Sequence, residues 1–383
     1  MKLILIVGAR PNFMKIAPLL IELRRYNDML QGKDEPIEYL LVHTGQHYDL
    51  QMSDAFFQQL NIPDPDINLE VGSGSHAVQT AEIMVRFEKL CLQEKPDWII
   101  VVGDVNSTMA CTLVASKTAI KVAHVEAGLR SFDRTMPEEV NRLVTDALAD
   151  LLFTPSEDAD QNLIREGISK DKIKRVGNIM IDTLMLNLEK ARSLAPYKQY
   201  GLEKKRYVFV TLHRPSNVDG RDSLSRIMRH LTTLSKKIPV VFPLHPRTEK
   251  NLIRYEIMHA SDQQKNLTLC KPVGYFESIG LADQAKFVLT DSGGLQEETT
   301  FLKVPCLTLR PNTERPITVT LGTNKLTSIE SLQQDIDGLL NGDYRAGEIP
   351  ELWDGRTSER IIRNLLSLSS SEGVVSNSHI SNG

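Results

Sequence analysis

Between residues 2 and 154 the chain alternates two kinds of stretch. Short, nearly continuous apolar runs rich in β-branched residues lie at 2–7, 38–43, 97–102, 120–125 and 151–154. Longer stretches with apolar residues at helical spacing lie at 12–26, 76–94, 106–117, 137–149 and 157–166. A run that does not alternate predicts a strand covered on both faces, as in a parallel sheet. Strand, helix, strand in series predicts βαβ units and an α/β fold. The pattern then restarts. Strands are expected at 206–212, 239–244, 266–270, 286–290 and 304–309, with helices at 220–236, 247–259, 275–284 and 292–302. The polar stretch APYKQYGLEKK (195–205) has the composition of a connection. The chain therefore reads as two doubly wound units, the first ending near 177 and the second running from 178 to 356. No short-period repeat is present. The serine-rich end, 369–383, is expected to be disordered.

Length and composition fit this reading. A chain of 383 residues is long for one core, and 41% hydrophobic with 25% charged residues is ordinary for a globular protein. The net charge of -4 offers no basic field for nucleic acid or an anionic membrane. No apolar run reaches the roughly 20 residues of a membrane helix. The run LILIV near the N-terminus is too short for a signal peptide, so a cytoplasmic protein is expected. The four cysteines, Cys91, Cys111, Cys270 and Cys306, are scattered and suit reduced thiols better than a zinc site.

Ligands of open α/β sheets sit beyond the carboxyl ends of the strands. The polar residues there are informative. After the first strand come Gly8, Arg10, Pro11 and Lys15. Two cations at a helix N-terminus suit a phosphate, although Arg10 could equally pair with a surface carboxylate. There is no G-x-G-x-x-G and no Walker loop. Asp104 follows the third strand, as a helix cap or a catalytic acid, with Asn106, Ser107 and Thr108 as further caps. Glu126 follows the fourth strand, where a carboxylate is costly unless paired or used. Pro137 starts the next helix, with Glu138 and Glu139 in its first turn and Glu138 spaced i,i+4 from Arg142. Each acid alone fits a surface or capping role. Three of them after successive strands point to a carboxylate cluster whose pKa values can be driven apart.

The second half adds His213 and Arg214 after its first strand, and His245 and Arg247 after its second. Both histidines adjoin loop prolines and also fit structural roles. DSGGLQEE (291–298) is more specific. Ser292, Gly293 and Gly294 open a helix whose amides can hold a diphosphate, and Glu298 lies where it can accept bonds from ribose hydroxyls. The histidines are dispersed, so no metal is expected.

GARPNFMKIAPL, HTGQH, GDVNST, HVEAGLRS, MPEEVNR, GNIMIDTL, TLHRPSNVD, DSGGLQEE and NTERP follow one another in this order. The chain thereby resembles the non-hydrolysing UDP-N-acetylglucosamine 2-epimerases from about residue 3 to about residue 365. The resemblance implies a glycosyltransferase-B-like fold, with two Rossmann-like domains facing across a cleft and a last helix, 357–368, crossing back to the first. It implies a homodimer, a UDP-sugar substrate, no cofactor, and interconversion of UDP-GlcNAc and UDP-ManNAc for surface polysaccharide. It assigns catalysis to Asp104, Glu126, Glu138 and His213. It assigns substrate binding to Arg10, Lys15, Arg142, Ser292, Gly293, Gly294, Glu298 and Arg315.

Two departures bear on regulation. Members with a second UDP-GlcNAc site line it with the glutamine of T-G-Q-H and another three places on. Here Gln46 is followed by Asp49, and EVGSGSHAV (70–78) lacks the family's arginine. Activation by UDP-GlcNAc is therefore expected to be weak, since Asp49 would repel a second diphosphate. The same departures admit a modified substrate such as a UDP-2,3-diacetamido uronic acid. Other readings are a hydrolysing epimerase that releases ManNAc, a glycosyltransferase needing an acceptor, and a nucleotide-sugar sensor. The retained acids disfavour the last.

Overall fold

The structure, a computed structural model, describes residues 1–30, 35–45, 62–257 and 265–376. The chain divides into two compact units. Unit 1 comprises residues 1–183 and 351–383, and unit 2 residues 184–350.

Unit 1 runs β1 (Lys2–Val7), α1 (Arg10–Met29), β2 (Glu38–His43), β3 (Ile67–Asn68), α2 (His76–Glu94), β4 (Trp98–Val102), α3 (Asn106–Lys117) and β5 (Lys121–Val125). It continues with α4 (Pro137–Leu148), β6 (Leu151–Thr154), α5 (Glu157–Arg165), β7 (Ile173–Arg175) and α6 (Ile179–Leu194). Among the described residues its sheet has seven parallel strands in the order 3-2-1-4-5-6-7. The order reverses beside β1, and the crevice at such a switch point is where doubly wound sheets bind ligands. Strand β4 is buried at all five positions, because α1 covers one face of the sheet and α2 and α3 the other.

Unit 2 repeats the plan with β8 (Val208–Thr211), α7 (Pro215–Val218), α8 (Arg221–Ser235), β9 (Val240–Pro243), α9 (Pro246–Arg254), β10 (Leu267–Cys270), α10 (Tyr275–Gln284) and β11 (Phe287–Thr290). Then follow α11 (Gly293–Phe301), β12 (Cys306–Leu309), α12 (Ile317–Thr320), β13 (Asn324–Thr327) and α13 (Leu332–Leu340). Its six described strands are parallel in the order 10-9-8-11-12-13, again reversing at the first strand. Each unit is therefore Rossmann-like, and the fold class is α/β. Two clusters of buried side chains, one on each face of the sheet, form its core.

Several elements differ from the sequence expectation. Strands β3, β7 and β13 were not foreseen, being short or polar (IN, IKR and NKLT). Helix α6, which precedes the expected connection at 195–205, was not foreseen, and the unit boundary falls inside it. Helix α9 stops at Arg254, short of the expected 259. The last helix, α14 (Thr357–Ser376), runs past the expected start of a disordered tail. It packs on α1, and a helix already nucleated extends at small cost per residue. Its first amides, from Thr357 and Ser358, donate to Asp182 at 3.1 and 2.8 Å. No described helix is long and apolar enough to cross a membrane.

Candidate active site

In unit 1 the polar residues gather at the ends of β1, β4 and β5. Asn12, in the first turn of α1, closes the first of these turns. Its side-chain oxygen accepts from the Gly8 and Ala9 amides at 3.1 and 3.0 Å, and its nitrogen donates to the Val102 carbonyl at 2.9 Å. This leaves Lys15, one turn further along, aimed at β5. Lys15 and Glu126 form a buried ion pair, each residue only 6% exposed. Glu126 carries a φ of +74°, which is strained for a residue with a side chain. Gly103, at φ +67°, makes room for the pair. A Cβ there would lie 2.7 Å from the Lys15 Nζ. Gly103→Ala is therefore expected to displace Lys15 and cut turnover by about 10²-fold, read as kcat in steady-state kinetics.

A second cation organises the other acids. Arg142, buried, donates to Asp104 and to Glu139, with NH2 2.6 Å from Glu139 Oε2. The expected Glu138–Arg142 pair is not made. Glu139 takes Arg142 because it also accepts from the Ser131 and Phe132 amides, both at 2.9 Å, which fixes its carboxyl inward. Burial alone would raise the Glu139 pKa, but those amides and Arg142 hold it below the usual carboxylate range. Glu138, beside it, is exposed. Asp104 is 30% exposed at its side chain, and Arg142 holds one of its oxygens. The expected caps are otherwise engaged. The N-cap of α3 is Val105, while Ser107 pairs with Thr44 at 2.7 Å and Thr108 donates to Val102. Arg10 opens α1, but its side chain lies outside the described residues, as do Gln46 and Asp49.

In unit 2 the pivot is Asp291, fully buried at the end of β11 and not singled out by its sequence context. It accepts from the His213 amide at 3.0 Å, the Arg214 amide at 2.8 Å and Asn217 Nδ2 at 3.0 Å. The His213 Nδ1 lies 3.1 Å from it, leaving the ring partly exposed. Burial opposes the Asp291 charge, yet these donors keep its pKa below the usual value. His245 stacks obliquely on His213, with ring centroids 5.3 Å apart. Burial, His213 and Arg247 together lower its pKa. Arg247 itself is tied to Asp219 at 2.7 Å.

Ser292 is the N-cap of α11. A Cβ at Gly294 would meet nothing within 4 Å, so this backbone is open to a ligand. A Cβ at Gly293 would lie 2.9 Å from Arg315 NH1, which puts that guanidinium against the helix start. Arg315 is held by Glu297 at 2.8 Å and Glu314 at 2.5 Å. The Ser292 amide donates to Thr290 Oγ1 at 2.9 Å, so the Gly293 and Gly294 amides and the helix dipole are what favour an anion, with Arg315 beside them. Glu298, in the second turn, is 6% exposed. Burial and the neighbouring Glu297 push its pKa to about 8, although Tyr275 opposes the shift. A folded-state pKa above the unfolded one means that stability is lost as pH rises from the ordinary 4.5 through about 8. Glu298→Gln should therefore lose less Tm than the wild type between about pH 6 and pH 9, measured by calorimetry.

With this geometry in view, comparisons with known proteins are specific. The family model described as UDP-N-acetylglucosamine 2-epimerase matches residues 30–366. This chain belongs to that family. A Methanococcus maripaludis protein named UDP-N-acetylglucosamine 2-epimerase homolog is 44% identical, over 96% of this chain and all of its own. The Pseudomonas aeruginosa UDP-2,3-diacetamido-2,3-dideoxy-D-glucuronate 2-epimerase is 38% identical, over 92% of this chain and 99% of its own. The crystal structure of Methanocaldococcus jannaschii UDP-GlcNAc 2-epimerase with UDP-GlcNAc and UDP is 41% identical, with a TM-score of 0.83 over 96% of this chain and all of that one. The fold class of this 2-epimerase family member is thus glycosyltransferase-B-like.

Proposed function

We propose that the protein interconverts UDP-GlcNAc and UDP-ManNAc by inverting C2 of the sugar. The observation that carries this reading is the arrangement of carboxylates in unit 1. Glu126 and Asp104 are each held by a separate cation, Lys15 and Arg142, beyond adjacent strands of one sheet. Such a set can take up and return a proton without metal or redox chemistry.

The C2 hydrogen of an N-acetylhexosamine is too weakly acidic for simple removal. Loss of UDP across C1–C2 avoids a free carbanion. A base takes the C2 proton, the C–H electrons form the C1=C2 bond, and the C1–O bond breaks toward the β-phosphate. The products are 2-acetamidoglucal and UDP. Addition of UDP to C1 with protonation of C2 on the opposite face gives the epimer. Glu126, Asp104 and Glu138 are the groups proposed to exchange this proton. The amides of Gly293 and Gly294, with Ser292, Arg315, Arg10, Lys15 and His213, stabilise the departing diphosphate. Glu298 binds the ribose. The reading extends to a cytoplasmic homodimer that supplies ManNAc-type sugars for surface polysaccharide. Incubation with UDP-GlcNAc followed by NMR should show UDP-ManNAc and no free sugar. Accumulation of ManNAc and UDP would make the enzyme hydrolytic.

A second reading, 2-epimerisation of a UDP-2,3-diacetamido uronic acid, is favoured by the Pseudomonas aeruginosa relative. Competition between the two substrates in kcat/KM decides between them. Asp49 in place of a glutamine argues for weak activation, so UDP-ManNAc alone should turn over without a lag. A strict need for added UDP-GlcNAc would contradict that.

A further inference from the structure

A polar network beneath the carboxylates is not used by the chemistry above. His124, in β5, is 0% exposed. Its Nδ1 lies 2.6 Å from Asp146 Oδ1 and its Nε2 lies 2.9 Å from the Gly103 carbonyl oxygen. Both neighbours accept hydrogen bonds. A neutral imidazole has one N–H, so serving both acceptors requires hydrogen on both nitrogens. Asp146, 1% exposed, also accepts from the Gly128 amide at 3.0 Å and contacts Arg130 NH1 at 2.7 Å. Arg130 in turn grips Glu166 with two bonds of 2.8 and 2.6 Å. Arg130 thereby bridges the buried Asp146 to Glu166, which is exposed.

The location gives the network its meaning. The Gly103 carbonyl ends at the peptide bond that begins Asp104. Gly128 lies two residues after Glu126. Asp146 sits on α4, whose first turns carry Glu138, Glu139 and Arg142. One imidazole thus ties together the three segments that present the proposed acids. Gly103 also holds a left-handed φ and forms one wall of the Lys15 slot, so rotation of its peptide would disturb both ion pairs.

We infer that His124 is a positioning residue for the epimerisation reaction: its ring, braced by Asp146, fixes the Gly103–Asp104 turn and with it the spacing of Asp104, Glu126 and Arg142. This rests on the function proposed above. His124 touches no substrate, so its loss should act on kcat and leave ligand affinity alone.

The experiment compares His124→Phe and His124→Gln with the wild type. His124→Phe should lower kcat by about 10²-fold, with KM and calorimetric UDP affinity little changed. His124→Gln, which can still donate one bond to Gly103, should recover part of the loss. Full activity in folded His124→Phe would overturn the inference. So would parallel losses of kcat, UDP affinity and Tm in both variants, which mark a general structural role. A wild type inactive on UDP-GlcNAc would instead count against the functional reading. Protein labelled with ¹⁵N-histidine tests the geometry without any substrate. Two slowly exchanging ring N–H signals from one residue, absent in both variants, are expected, and their absence from the wild type would overturn the inference.

Discussion

Glu126→Gln is expected to reduce kcat by about 10²–10⁴-fold, the range for loss of a positioned general acid or base. Glu126 is buried and ion-paired with Lys15, and a glutamine of the same shape can neither take nor return a proton. UDP affinity of this single variant should be largely retained, because Lys15 is kept and Gly293, Gly294 and Arg315, also proposed to hold the diphosphate, lie in unit 2. Stability confounds the single variant, since it leaves the buried Lys15 cation without its carboxylate. Breaking such a pair costs about 3–5 kcal/mol, whereas replacing both members with neutral groups is far milder. The double variant Lys15→Met, Glu126→Gln should therefore regain much of the lost Tm and stay inactive. A double variant that regains activity with stability would show Glu126 to be structural. Steady-state kinetics and calorimetry on the same three preparations decide this.

Asp291→Asn should weaken UDP binding by about tenfold or more and lower the stability of unit 2 by about 3 kcal/mol. The carboxylate accepts from two backbone amides and Asn217, with nearly every surrounding group a donor. An asparagine has one oxygen for these donors and must turn its own NH2 toward the rest. The His213–Arg214 turn would then lose its anchor, and the His213 ring its partner carboxylate. Isothermal titration with UDP alone measures the effect without needing catalysis. An affinity within about twofold of the wild type would remove Asp291 from the binding machinery.

Much of the architecture was legible because buried parallel strands leave an unambiguous trace. Runs such as LILIV and WIIVV have no polar alternation, and the observed strands fall on them within a residue or two. The missed strands are edge or near-edge pieces whose polar side chains carry no such signal, as in Asn324–Thr327. Helix α6 was hidden by its position, since a helix that joins two units looks like a linker when a boundary is sought there.

The site was legible in part, for a different reason. Acids following strands are visible in sequence, but their partners are not. Glu138 and Glu139 both stand at helical spacing from Arg142. Only the Ser131 and Phe132 amides, presented by a loop, select Glu139. Likewise, His124, Asp146 and Asp291 look like ordinary interior or capping residues until the fold surrounds them with complementary groups. Buried polar partners are specified by tertiary contact, and a linear pattern records burial far better than pairing.

Carboxylates of unit 1 are proposed to remove and return the C2 proton through elimination of UDP. Incubating the enzyme with UDP-GlcNAc in deuterated water and separating the products tests this most directly. UDP-ManNAc carrying deuterium at C2, with no free sugar, is expected. UDP-ManNAc that retains the original hydrogen would contradict this mechanism.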